Sequence, residues 1–226
     1  MSIILNIDTA SEKAHVSFAK DGSILHSLCS ESQKEHASFL QSAILQLTKI
    51  TAIKLSDIDA VAVTAGPGSY TGLRVGMASA KGLCYALKKP LITLGTLQVL
   101  TASAIYLFPN TDESVLFCPM MDARRMEVFT AVYKNDLSVY LPPSAMILDD
   151  FSFEKILLKN KMMFFGSGSQ KWKSICQHAN AIFENVILLP QAMSKQSNFF
   201  YLHNRFTDLA YSEPTYLKEF QTVIKK

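Results

Sequence analysis

Apolar and polar positions follow two rhythms along the chain, and the switches between them mark out the elements. Ile3 to Asp8 is a short run rich in branched apolar side chains that ends at an acid, and it predicts a buried strand. His15 to Lys20 and Ile24 to Leu28 follow as two more strand-like runs. Asp21-Gly22 stands between them, and an Asp-Gly step is a hairpin signal. Phe39, Leu40, Ala43, Ile44 and Leu47 then recur at helical spacing. Ile58 to Thr64 reads as a strand that closes at Gly66-Pro67-Gly68. Leu73, Met77, Ala80, Cys84 and Leu87 share one helical stripe. Pro90 opens a further strand, Leu91 to Gly95, and Thr96 caps a helix through about Tyr106. The element order is βββαβαβα.

Pro109-Asn110-Thr111-Asp112 is the best linker, dividing the chain into residues 1–108 and 109–226. Beyond it a similar order returns. Val115 to Asp122 predicts a strand ending at an acid, and Glu127 to Tyr133 and Ser138 to Leu141 two more, with a turn at Asn135-Asp136. Asp150 to Lys159 suits a helix, and Met162 to Phe165 a strand closing at Gly166-Ser167-Gly168. Gln170 to Ala179 reads as a helix, Val186 to Leu189 as a strand and Asn198 to Ala210 as a final helix, which is left free to pack back on the first half. Ile7-Asp8-Thr9-Ala10 and Met121-Asp122-Ala123-Arg124 hold equivalent places in the two halves. Two units of three antiparallel strands with parallel additions predict an α/β fold of two ribonuclease-H-like lobes, the plan of actin, hexokinase and Hsp70 (ASKHA). Such a plan leaves the function open.

Composition narrows the class. Of 226 residues 49% are apolar and 18% charged, against about 25% charged in typical soluble domains, which points to some surface being covered by a partner. The net charge of +3, with Arg124-Arg125 as the only notable basic run, gives no clustered basic face for nucleic acid. No stretch reaches the ~18 apolar residues of a membrane span. The N-terminus meets Asp8 at once and reads as a strand, not a signal peptide. Cys29, Cys84, Cys118 and Cys176 form no CxxC pair and lie in apolar segments, so they are expected to be buried free thiols of a reducing, cytoplasmic compartment. His15, His26, His36, His178 and His203 lack zinc-peptidase spacing, and no Gly-x-Ser-x-Gly elbow occurs. His36, after Glu35 and ahead of a helix, is the one histidine singled out.

The most specific motif is Gly66-Pro67-Gly68-Ser69-Tyr70-Thr71-Gly72-Leu73-Arg74, between a strand and a helix. Its GxGxxxG spacing is one residue longer than the dinucleotide fingerprint, and the Walker lysine is missing. Two readings stand. Gly66, Pro67 and Gly68 make a tight turn, or they join Ser69, Thr71 and Asp8 in holding an anion or the edge of a nucleotide within a complex. The helix that follows carries Gly72, Gly76 and Ala80 at four-residue steps, with Ala78 and Gly82 alongside. Glycine within a helix costs ~1 kcal/mol against alanine, so a close approach is expected, either of the chain's own sheet or of another subunit. Met77 suits an adaptable interface, and the predicted partner face is His36, Gly72, Arg74, Gly76, Met77 and Ala80. Asp8 and Asp122 end the first strand of each lobe, where actin-like enzymes hold a metal–nucleotide beside glycine-bearing hairpins. Here Thr9 to Ala14 and Ala123 to Glu127 contain no glycine, and Glu12 repels phosphate. This argues against independent ATP hydrolysis; no catalytic residue and no metal ligand is assigned.

The chain resembles the TsaB family, formerly called YeaZ and filed among glycoprotease-like proteins, over nearly its whole length. The resemblance rests on Ile7 to Ala10, Glu35-His36, Gly66 to Arg74, Asp122 to Arg125 with Glu127-Val128-Phe129, and Glu213-Pro214-Thr215-Tyr216-Leu217-Lys218. Met126 departs from it, standing where the family often has glycine. The resemblance implies a non-catalytic accessory or scaffold subunit of the system that forms N6-threonylcarbamoyladenosine on tRNAs reading codons that begin with A. It implies pairing through first-lobe helices with a TsaD-type catalytic subunit, which carries metal-binding histidines, and a TsaE-type ATPase as a further component. tRNA is reached through the complex. No cofactor is expected on the isolated chain, ATP or ADP only within the complex, and the free chain has the option of a homodimer. The alternatives are an actin-like small-molecule kinase or ATPase and, as the older family label would have it, a peptidase.

Overall fold

Two five-stranded sheets share one strand order. The structure is a computed structural model that describes residues 1–30 and 36–218, with His36 described for its backbone only. In the first lobe, β1 (Ile3–Asp8), β2 (His15–Lys20) and β3 (Ser23–Cys29) form an antiparallel meander. After α1 (His36–Thr51), β4 (Ala60–Gly66) adds parallel to β1. After α2 (Tyr70–Leu87), β5 (Leu91–Gly95) adds parallel to β4. The order is β3-β2-β1-β4-β5. Helix α3 (Thr96–Leu107) leads to the second lobe. There β6 (Leu116–Asp122), β7 (Glu127–Tyr133) and β8 (Val139–Ile147) repeat the meander. β9 (Met162–Phe165) and β10 (Ala181–Phe183) add in parallel, preceded by the short helices α4 (Glu154–Leu157) and α5 (Ser169–Lys173). Read as β8-β7-β6-β9-β10, this sheet has the order of the first.

The patterns follow from position. β4, in the interior of its sheet, is buried at every residue and is apolar almost throughout, as a strand covered on both faces must be. β8 is an edge strand and tolerates Pro142 and Pro143 there, where a missing ladder donor does little harm. One core lies between the first sheet and helices α1 and α2, including Leu5, Phe18, Leu40, Leu47 and Val63. A second gathers around Trp172, with Phe153, Phe164 and Phe183 packed edge-on or tilted about it. The third joins the lobes. Ile4, Ala62 and Leu94 of the first sheet meet Val99, Leu100 and Ala104 of α3 and Phe117 and Phe165 of the second sheet. On another side of α3, Leu97 packs on Ala131 and Tyr133.

Several expected boundaries move. Val186 to Leu189 is extended but joins no ladder. Val186 and Leu188 enter the shared core while Ile187 is 65% exposed, so the alternation is real. The strand that pairs with β9 on its outer side is the earlier segment β10 instead. The last helix, α6 (Pro190–Leu202), begins eight residues before the expected Asn198. Proline at its first position is preset for a helix and has no N–H to leave unpaired. Asn204 then turns left-handed and stops it. The helices expected over 150–159 and 170–179 shrink to α4 and α5, because mutual Asp149–Ser152 bonds and an Asn180 N–H to His178 Nδ1 bond hold turns at their flanks. Cys84 and Cys118 are buried thiols, but Cys29 is exposed on the edge strand β3.

Helix α6 lies across the first sheet. Asn198 Oδ1 accepts from Ser2 Oγ at 2.7 Å, Ser194 Oγ donates to Gly22 O at 2.9 Å, and Gln196 Nε2 donates to Gln98 O at 3.1 Å. No helix among the described residues is long and apolar enough to cross a membrane. Leu97 is 1% exposed, so Leu97→Ala should lower stability by about 2–5 kcal/mol, read as a reduced urea midpoint. An unchanged midpoint would mean that α3 does not hold the second sheet.

Candidate functional site

A cleft of about 2160 Å³ opens between the lobes. The β1–β2 turn, the Gly66 to Arg74 segment and the start of α3 form one wall. The β6–β7 turn and the Gly166-Ser167 turn form the other, and the tail residues Thr215 to Lys218 line the cleft between them. The signature glycines are explained by what passes over them. Gly66 sits at φ +118°, and a side chain there would collide with Thr215 O. A side chain at Gly68 would collide with Ala10 O, which accepts the Ser69 N–H at 2.8 Å. Pro67 is buried between them. Ser69 caps α2 through its Oγ, which accepts from Gly72 N at 3.3 Å, while Thr71 is exposed on the first turn.

Helix α2 packs its small face inward. Gly72, Gly76, Met77 and Ala80 are buried, and a Cβ at Gly76 would fall on Thr9 Oγ1, which donates to Gly72 O at 2.7 Å. These four residues, expected on a partner face, are therefore covered by the chain's own first sheet. The exposed side of the helix carries Thr71, Arg74, Ala78, Gly82 and Tyr85, so Arg74 alone of the expected α2 residues is open. A side chain at Gly82 would meet nothing within 4 Å. His36 begins α1; its side chain, like Glu35, lies outside the described residues.

The two strand-end acids do the same local job. Asp8 is fully buried, and its Oδ1 accepts from Ala10 N at 3.0 Å and Thr64 Oγ1 at 2.7 Å. Asp122 Oδ1 accepts from Arg124 N at 2.6 Å and from Lys171 Nζ at 2.8 Å. Each carboxylate thus closes a turn onto the backbone two residues on. Burial alone would lift the Asp122 carboxyl. The Lys171 and Arg124 hydrogen bonds and the Lys171 charge outweigh it and hold the group below its ordinary value. Without glycine, the second turn places Arg124 and Arg125 at φ 72° and 49°; Met126 is not among the left-handed residues.

The tail was the feature sequence reasoning did not place. Thr215 N donates to Ala65 O at 2.7 Å. Tyr216 lies 5.3 Å from the Tyr70 ring and accepts from Arg74 Nε at 3.1 Å, and Arg74 sits over the Tyr70 ring at 4.0 Å. Lys218 pairs with Glu127 at 2.7 Å. Its only signal in the sequence was the Glu213 to Lys218 motif, whose position depended on where α6 ended. His15 lines the cleft 3.7 Å from Cys29 Sγ. Among the described residues no three His, Cys, Asp or Glu side chains gather as a metal-holding group.

Gly76→Ala should displace the Thr9 hydroxyl and lower stability by about 1–3 kcal/mol; an unaltered unfolding midpoint would contradict the packing. Burial, the largest influence, pushes His15 below its ordinary 6.5, with Asp8 pulling it up and Lys13 pushing it further down. The unfolded chain therefore takes up that proton first. The contribution is complete above the unfolded value and is lost as pH falls below it and through the lowered folded one. His15→Gln should flatten the acid side of the stability curve, measured by urea unfolding between about pH 7 and pH 5.

Comparison with known proteins gives the family. Residues 28–213 match the family described as TsaD: tRNA N6-adenosine threonylcarbamoyltransferase. The Escherichia coli K12 protein named tRNA threonylcarbamoyladenosine biosynthesis protein TsaB is 27% identical, over 95% of this chain and 94% of its own. The solved structure of YeaZ from Pseudomonas aeruginosa superposes with a TM-score of 0.78 at 22% identity, covering 96% of this chain and all of that one. The activator of 2-hydroxyisocaproyl-CoA dehydratase from Clostridium difficile shares the fold at a TM-score of 0.50 and 10% identity, over 90% of this chain and 95% of its own. These two likenesses concern the fold, and they match the duplicated actin-like plan read from the strand order. With a family match over most of its length, the chain belongs to that family and, within it, to the TsaB (YeaZ) proteins of tRNA threonylcarbamoyladenosine biosynthesis.

Proposed function

We propose that this chain acts in tRNA threonylcarbamoyladenosine biosynthesis as a non-catalytic accessory subunit that binds and stabilises a TsaD-type catalytic subunit. The observation that carries the reading is the commitment of both strand-end acids to their own turns. Asp8 Oδ1 accepts from Ala10 and Thr64, and Asp122 Oδ1 from Arg124 and Lys171. The tight approach of Ala10 to Gly68, and of Thr215 to Gly66, supports the turn reading of the signature. A nucleotide then belongs to the assembled complex, not to the isolated chain, and tRNA and a TsaE-type ATPase join through that complex.

The partner surface in this reading is the outward side of α1 and α2. Gln41 Nε2 bridges the two helices by donating to Ser79 Oγ at 3.3 Å. Ala78, Gly82 and Ala86 leave a shallow, small-residue track between Arg74 and Tyr85, along which another helix can approach closely. In the absence of the partner, a second copy of this chain would use the same track.

Gly82→Leu should separate binding from folding. Open space around Gly82 means the isolated variant folds, and it should gain up to ~1 kcal/mol from the better helix former. Binding to a co-expressed TsaD-type protein should fall at least ~10-fold, about 1.4 kcal/mol; undiminished affinity would remove this surface from the interface. Calorimetric titration of the isolated chain with Mg-ATP should give no binding heat. Ordinary saturable binding would favour the kinase or ATPase alternative.

A further inference from the structure

The segment after α6 is fastened to both lobes, but very unequally. Its first anchors lie on β5. Thr207 N donates to Leu91 O at 2.8 Å, Thr93 N donates to Thr207 Oγ1 at 3.3 Å, and the two threonine hydroxyls are 2.7 Å apart. Lys81 Nζ then donates to Ala210 O at 3.1 Å and Ser212 O at 2.9 Å. Thr215 N reaches Ala65 O, over the space that Gly66 leaves open, and Tyr216 rests on Tyr70 and Arg74. Every one of these partners belongs to the first lobe. The next contact crosses to the second: Lys218 Nζ lies 2.7 Å from Glu127 Oε2, at the start of β7.

We propose that residues 207–218 form a latch across the mouth of the cleft, built to release at the Lys218–Glu127 end while remaining docked on the first lobe. The inequality of the two attachments carries this. Backbone and lysine–carbonyl bonds along three first-lobe elements, β4, α2 and β5, hold one end. At the other end, the link found among the described residues is an ion pair whose side chains are 48% and 17% exposed. Such a pair favours its joined state by about fivefold at most, the equivalent of about 1 kcal/mol, and salt screens it. The neighbouring acid, Asp122, is already held by Lys171. The floor of the cleft cannot part in the same way, because α3 is buried between the two sheets and Leu97 is packed on Ala131 and Tyr133. The motion left to the molecule is a rocking of the second lobe about α3 that widens the mouth when Lys218 lets go.

The test places nitroxides on Thr71→Cys and Ile147→Cys, exposed residues on opposite walls of the cleft. The background is Cys29→Ser and Cys176→Ser, with Cys84 and Cys118 left buried. Double electron–electron resonance on the full chain should give one dominant distance at about 50 mM salt. A longer component should grow severalfold at about 0.5 M salt, where the screening length falls to a few ångströms. Lys218→Glu should show that component at low salt, and adding Glu127→Lys should remove it. Identical distances in all variants at both salts would overturn the latch. So would a longer component that survives the charge swap.

Discussion

The two lobes are organised around one largely apolar helix that is buried over most of its length. Helix α3 presents Val99, Leu100 and Ala104 to a core shared by both sheets and Leu97 to the second sheet. A helix apolar on more than one side needs cover on each of them. Neither lobe can bury it alone, so the two lobes stand as one body at its level. The cleft exists because this union stops at the start of α3. Beyond that point the strand ends and turns of the two lobes face each other without a common core.

The duplication extends below topology. Each lobe ends its first strand with an aspartate that accepts from the backbone two residues on, and each follows its fourth strand with a Gly-x-Gly turn lying against the first strand's exit. Gly68 is pressed on Ala10, and Gly168 on Met121 and Asp122. In this chain those repeated corners hold themselves closed. The lobes differ in what supports the acid: a buried threonine hydroxyl in the first, a partly exposed lysine in the second. The acid of the first corner is therefore buried, and that of the second is exposed to solvent.

Much of this was legible in the sequence, and the failures have physical causes. The first lobe's strands and helices fell close to their expected places because period-2 and period-3.6 patterns are long there and turn residues stand at their ends. The second lobe was harder. Val186 and Leu188 alternate like a strand because they fill a core from an extended segment, and core filling does not require a ladder. Pro190 opens the last described helix, well ahead of the expected Asn198. The stripe Gly72, Gly76 and Ala80 announces a close approach, but spacing cannot say what approaches; at Gly76 it is the side chains of Thr9 and Val63 of the same chain. The Lys171–Asp122 and Lys218–Glu127 pairs join residues far apart in sequence, and no local pattern encodes them.

The hydrogen bond between Ser2 and Asn198 spans 196 positions. Strand β1 is thus covered by a helix made nearly two hundred residues later. Until α6 emerges, the face of the sheet it will cover stays open to solvent and to other chains. Contacts of such long sequence separation slow folding and prolong the exposure of sticky intermediates. Synthesis of this protein should therefore lean on chaperones or on early capture by neighbouring polypeptides more than its size alone would require.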